Sequence, residues 1–120
     1  MSEKKRDYVL FLEDILESIT RIEEYSKDID LNRLHKHRMA VDAIVRNFEI
    51  IGEAVKNIPR AVRSKYPDVE WKEAAGFRDI LIHEYFGIDL EAVRDTISKN
   101  LPAFKRHIRK VLREERKESK

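Results

Sequence analysis

Apolar residues recur along this chain at spacings of three and four, which is the period of one face of an α-helix. From about Lys5 to Lys27, Tyr8, Leu12, Ile15, Ile19 and Ile22 form such a stripe, widened by Phe11 and Leu16. Glu13, Asp14, Glu17, Arg21 and Glu24 fall on the opposite face. Asp28 and Asp30 punctuate the end, and Asp30 is placed to cap the short piece Leu31 to Lys36 that follows. A second long helix is predicted from about His37 to Asn57. Its seam of Val41, Ile44, Phe48, Ile51, Val55 and Ile58 has the strict alternation of three and four that suits an antiparallel neighbour in a bundle.

Pro59 opens a short turn of helix, and Tyr66-Pro67-Asp68 breaks the chain. The pattern predicts a third long helical segment from about Glu70 to Phe86, with Gly87 as its C-terminal glycine. Asp89 is the expected N-cap of a last helix carrying Leu90, Val93, Ile97, Leu101, Phe104, Ile108 and Val111. Pro102 falls inside it. A kink is expected there rather than a stop, because the apolar period continues on both sides. The fold class is therefore all-α: an antiparallel bundle of about four to five helices in a single domain spanning 1–120.

Composition supports this. Among 120 residues there are three glycines and three prolines, while charged residues make up 40% and hydrophobic ones 42%. Cysteine is absent, which removes disulfides, thiolate zinc sites and cysteine nucleophiles. No apolar run approaches the roughly 18 residues of a membrane span. Glu13, Asp14 and Glu17 interrupt any signal-peptide core behind the basic start. A soluble, cytoplasmic protein is the expectation.

The net charge of +2 is too small to mark a general nucleic-acid binder. Its distribution is uneven: residues 105–120 hold eight Lys and Arg against three Glu, or +5, leaving −3 for the rest. This tail reads either as a solvated, frayed helix end, where cations suit the helix dipole, or as an arm that contacts phosphates.

Four histidines bear on chemistry. His35 and His37 are two apart, point in opposing directions on a helix and make a poor metal pair. With Arg33, Lys36 and Arg38 they read as a polar, partly basic surface. His107 sits in the basic tail, where a solvent-facing position is expected. His83 has richer company, Arg78-Asp79-Ile80-Leu81-Ile82-His83-Glu84-Tyr85. A histidine moves protons near neutrality, an arginine offers a fork to phosphate oxygens, and a tyrosine can donate to a nucleotide or stack on it. The carboxylates do not form a ligand cluster, so neither metal nor cofactor is expected. The plainer reading is a structural ion-pair and packing set.

Arg78, four residues, His83, one residue, Tyr85 resembles the R-x4-H-x-Y signature of HepT-like toxins in the HEPN superfamily. The likeness extends to Tyr8-Val9-Leu10-Phe11-Leu12-Glu13-Asp14-Ile15-Leu16, to Arg46-Asn47-Phe48-Glu49-Ile50-Ile51-Gly52-Glu53-Ala54, to Trp71 through Gly76, and to His83-Glu84-Tyr85-Phe86-Gly87-Ile88-Asp89-Leu90. It covers roughly residues 6–104 and leaves out the basic tail. The resemblance implies a helical homodimer and a metal-independent endoribonuclease, the toxin of a toxin–antitoxin pair. It implies a minimal nucleotidyltransferase as antitoxin, which silences the toxin by attaching AMP to Tyr85. Arg78 and His83 would be catalytic, and Asp79 would match the polar residue that follows the motif arginine. The alternative is a non-catalytic helical dimer that docks on a nucleotidyltransferase or on RNA, or an adaptor in which the motif only packs.

Helical geometry adds a constraint. On a continuous helix Arg78 and Tyr85 share a face, but His83, five residues from Arg78, points roughly 140° away. Either the helix unwinds near His83 or a second protomer completes the site.

Overall fold

The structure, a computed structural model, describes residues 3–77, 79, 82–83 and 87–118, with side chains for 7–77, 79 and 87–117. Helix α1 spans Glu3–Ser26. A 3-10 turn, Leu31–Lys36, leads into α2, Arg38–Lys56. Two short helices follow, α3 at Arg60–Lys65 and α4 at Trp71–Ala75. A two-residue antiparallel ribbon pairs β1, Ile82–His83, with β2, Gly87–Ile88. Helix α5, Leu90–Asp95, then runs through a π turn, Thr96–Asn100, into α6, Leu101–Glu118. The described chain is an all-α bundle bearing one minimal ribbon.

The caps follow the local chemistry. The Asp30 carboxylate accepts from the Asn32 amide at 2.9 Å, and the Asp89 carboxylate accepts from the Ala92 amide at 3.0 Å. Each satisfies an amide that the first turn leaves without a carbonyl partner. His37 and Asn57, the expected ends of the second helix, are its two flanking residues.

α1 packs along α2 on one side and α6 on the other. Leu12, Ile15, Ile19 and Ile22 of α1 meet Ile44, Phe48, Ile51 and Val55 of α2, and Phe104, Ile108 and Val111 of α6, in one buried cluster. Phe77 fills the middle. Its ring stands edge-on to Phe48 at 5.2 Å and to Phe104 at 5.9 Å, an arrangement that aligns ring edges with ring faces.

Three sequence expectations change. The segment from Glu70 to Phe86 is not one helix: α4 ends at Ala75, Gly76 follows as its C-cap, and Ile82–His83 is extended. Ile82 and Ile88 are backbone partners in the ribbon, and β-branched residues favour extended backbone. Gly87 does adopt the left-handed backbone, at φ 79°, but as part of the ribbon opposite His83 rather than as a helix cap.

At Pro102, the expected place of a kink, the helix runs on without a stop and a π turn precedes it. Pro102 has no amide proton to give the Ser98 carbonyl, and the Leu101 amide reaches back five residues to the Thr96 carbonyl. The extra residue shifts the buried register, so that Val93, Thr96, Leu101, Phe104 and Ile108 are buried while Ile97 is only half-buried. Thr96 tolerates burial because its hydroxyl donates to the Ala92 carbonyl at 2.7 Å.

The basic tail is the third change. It is neither frayed nor a free arm through Lys117. Val111, Leu112 and Glu115 are buried against the bundle. Lys105 donates to both Glu23 oxygens at 2.9 and 3.0 Å, and Arg116 pairs with Glu13 at 2.6 Å. Together with Tyr8 on Glu115, these pairs lay α6 antiparallel on α1.

Candidate active site

The motif segment follows α4 in the chain and precedes α5, and four local features hold the described residues on its α4 side. Gly52 lets α2 approach the end of α4: a Cβ there would stand 3.2 Å from the Ala75 carbonyl oxygen and 3.4 Å from that of Ala74. Phe77, next to the motif arginine in sequence, is clamped between Phe48 and Phe104. Glu70, at the start of α4, is tied to α6 by His107, whose Nδ1 lies 2.5 Å from the carboxylate. The Trp71 indole donates to the Tyr66 carbonyl at 3.0 Å. His107 is therefore a half-buried strut and not the solvent-facing residue that the sequence suggested.

Arg78 and Tyr85 lie outside the described residues. His83 is placed by its backbone on β1, with Gly87 opposite. The divergence expected between Arg78 and His83 assumed an unbroken helix. The backbone is helical at Phe77 and Asp79 but extended by Ile82, so that angle does not apply. At His83 itself the backbone is extended and paired with Gly87.

Asp79 is exposed and lines a cleft of about 270 Å³ with Arg46, Glu49, Gly52, Glu53, Lys56 and Ala75. The sequence stretch Arg46–Ala54 thus splits its work. Phe48 and Ile51 enter the core, Gly52 admits α4, and Arg46, Glu49 and Glu53 line the cleft. Asn47, between them in sequence, is buried; its amide donates to the Ala43 carbonyl, and its own oxygen has no partner among the described residues. Among the described residues no group of three or more His, Asp or Glu side chains is gathered to hold a metal ion. Nor, among them, is any helix long and apolar enough to cross a membrane.

The most buried charge in the described chain lies elsewhere. Glu115, at 0% exposure, accepts from the Tyr8 and Tyr66 hydroxyls at 2.5 Å each and from the Lys65 ammonium at 2.9 Å. Burial raises its pKa, but donation by Tyr66, Tyr8 and Lys65 outweighs that, and the net shift is downward. In the sequence Glu115 looks like one more charge in a basic tail. The available signal was its position four residues after Val111 and seven after Ile108, on the apolar stripe.

The family described as ribonuclease HepT-like matches residues 15–111. Among individual proteins, the chain is 41% identical over 110 residues to a candidate RNase of Methanocaldococcus jannaschii, covering 92% of this chain and 95% of that one. It is 38% identical over 107 residues to a protein of Thermococcus cleftensis named probable ribonuclease HepT, covering 89% and 97%. A further M. jannaschii relative, named as a gamma-glutamylcyclotransferase and candidate RNase, is 44% identical over 110 residues, and the chain spans half of its length. No solved structure matches the chain.

Proposed function

The chain belongs to the HepT-like ribonuclease family, and from that premise we propose that it is a metal-independent endoribonuclease, the toxin of a toxin–antitoxin pair. The observation that carries this reading is the unbroken Arg78-x4-His83-x-Tyr85 spacing within a family match spanning residues 15–111. Ala75, before the motif, and Gly87 and Ile88, after it, each line a surface cleft, and this supports a site open to a large substrate.

In the proposed reaction an RNA 2′-hydroxyl attacks the adjacent phosphorus. The 2′-O–P bond forms as the P–O5′ bond breaks, giving a 2′,3′-cyclic phosphate and a 5′-hydroxyl. One proton leaves the attacking hydroxyl and one reaches the departing 5′-oxygen. His83 serves one of these transfers, work typically worth about 10²–10⁴-fold, and Arg78 holds the non-bridging oxygens as charge builds on them. Asp79, exposed beside the cleft, supports the arginine. Tyr85 is the acceptor for AMP from a nucleotidyltransferase antitoxin, and the working form is a homodimer.

The test is RNA cleavage by purified protein in EDTA, with His83→Ala as control. Cyclic-phosphate ends from wild type and none from the variant are expected. Intact RNA in both, or equal cleavage by both, refutes the reading.

A further inference from the structure

Nearer the start of α2 than Asp79's cleft lies a second cavity, of about 400 Å³, within the range of small-ligand sites. Its apolar part consists of Leu34, Val41, Ile88 and Leu90, and its polar rim of His35, Arg38 and Asp42. Gly87 completes the lining with bare backbone, and a Cβ there would meet nothing within 4 Å. The cavity therefore opens on the ribbon residue paired with His83, and opposed residues in such a pair have Cα atoms about 5 Å apart.

The rim is chemically unspent. Among the described residues, no hydrogen bond or ion pair engages the side chains of His35, Arg38 or Asp42, although Arg38 and Asp42 are one helical turn apart. Arg38 also stands in the first turn of α2, which has no acidic residue. A cation there opposes the helix dipole, and Lys36 adds a second positive charge two residues before it. An anion at the rim would offset both.

We propose that this cavity is a nucleotide subsite, holding the RNA residue next to the scissile phosphate. The inference rests on the ribonuclease reading above and adds to it where the substrate is gripped and how a base is chosen. Arg38, with His35 beside it, takes the phosphate; guanidinium and phosphate make paired, charge-assisted hydrogen bonds. The base lies on Leu34, Val41, Ile88 and Leu90. Asp42, whose carboxylate accepts and does not donate, takes a hydrogen bond from an exocyclic amino group, as carboxylates do from cytosine N4. A base with a carbonyl in that place presents acceptor to acceptor, so cytosine is favoured over uracil.

The experiment measures binding of fully 2′-O-methylated, fluorescein-labelled hexanucleotides, (C)6 and (U)6. They lack the attacking hydroxyl and report affinity without cleavage. Wild type is expected to bind (C)6 about fivefold more tightly than (U)6, and Asp42→Asn to erase that preference. Arg38→Ala should weaken both about tenfold and flatten the dependence of log K on log salt by about 0.7, the value of one single-strand phosphate contact. Arg21→Ala, the same charge change on an exposed turn of α1, should do neither, and all variants should melt with wild type. Unchanged affinity and salt slope in Arg38→Ala overturn the subsite, as does equal binding of the two probes by wild type. So does a loss of self-association in Arg38→Ala with probe binding intact, which would make the cavity a protein interface. Probe binding that follows Arg38 and Asp42, with no cleavage of natural RNA by wild type, would keep the subsite and remove the nuclease. Cleavage abolished by His83→Ala alongside probe binding indifferent to Arg38 would do the reverse.

Discussion

Replacing Glu115 by glutamine changes one atom and should cost this protein a large part of its stability. The carboxylate places Oε1 against the Tyr8 hydroxyl and Oε2 against both the Tyr66 hydroxyl and the Lys65 ammonium. Glutamine keeps one acceptor oxygen and substitutes an NH2 for the other. Whichever way the amide turns, its NH2 meets at least one hydroxyl that previously donated. A tyrosine hydroxyl can rotate and accept, at the loss of a charge-assisted bond worth about 1.5–3 kcal/mol. Lys65 is 43% exposed and swings to water, so its share is small. The sum is about 3 kcal/mol, or roughly a 10 °C fall in midpoint for a chain of this size. Thermal melts followed by far-ultraviolet circular dichroism at pH 7 read it directly.

The same network fixes a pH signature. Glu115's folded pKa lies below its ordinary value, so its contribution is complete above about pH 5 and is lost as pH falls through the folded pKa. Wild type should therefore lose stability faster than Glu115→Gln on acidification, and the gap between their midpoints should narrow below about pH 4.5. Tyr8→Phe should be non-additive with Glu115→Gln, since Tyr8 donates to the carboxylate that the second change alters. A Glu115→Gln midpoint within about 2 °C of wild type at pH 7, or a gap that stays constant down to about pH 3.5, would refute the account.

Other outcomes follow from the same geometry. Truncation after Leu112 removes Glu115 and Arg116 together and should lower stability by about 3 kcal/mol in denaturant titration; a fully stable truncation showing only a shallower salt dependence of RNA binding would restore the free-arm reading of the tail. Gly52→Ala adds a Cβ 3.2 Å from the Ala75 carbonyl; the gain of about 1 kcal/mol in helix propensity should offset the displacement of α4, leaving the midpoint within about 3 °C while RNA cleavage falls several-fold, and unchanged cleavage would show that α4 does not position the site. Co-expression with the nucleotidyltransferase should add AMP mass to wild type and none to Tyr85→Phe in peptide mass spectrometry; AMP on another residue with Tyr85 bare would overturn that assignment.

What the sequence made legible depends on the range of the interactions involved. The seams of α1 and α2, the Asp30 and Asp89 caps and the Pro59 and Pro67 breaks are local, and each appears within a residue or two of its expected place. The failures occur where a distant contact decides. Apolar spacing from Trp71 to Phe86 is compatible with a helix, but Gly76, a close approach to Gly52 and the clamp on Phe77 end α4 after Ala75. Charge counting made the tail look free, because Glu13, Glu23 and Tyr8 lie about a hundred residues away in the chain.

The departure from a continuous helix near His83 has a chemical consequence. A helix fixes its side chains at 100° steps, and no choice of rotamer aims residues five apart at one phosphate. Extended backbone at Ile82–His83, paired with a glycine at φ 79°, is not bound by that constraint. The same ribbon leaves Gly87 as bare backbone at the mouth of the cavity rimmed by Arg38 and Asp42. If the motif and that cavity act on one strand of RNA, the glycine serves both: Gly87→Ala should strain the ribbon and weaken cleavage and hexanucleotide binding together. Loss of one without the other would separate the two sites.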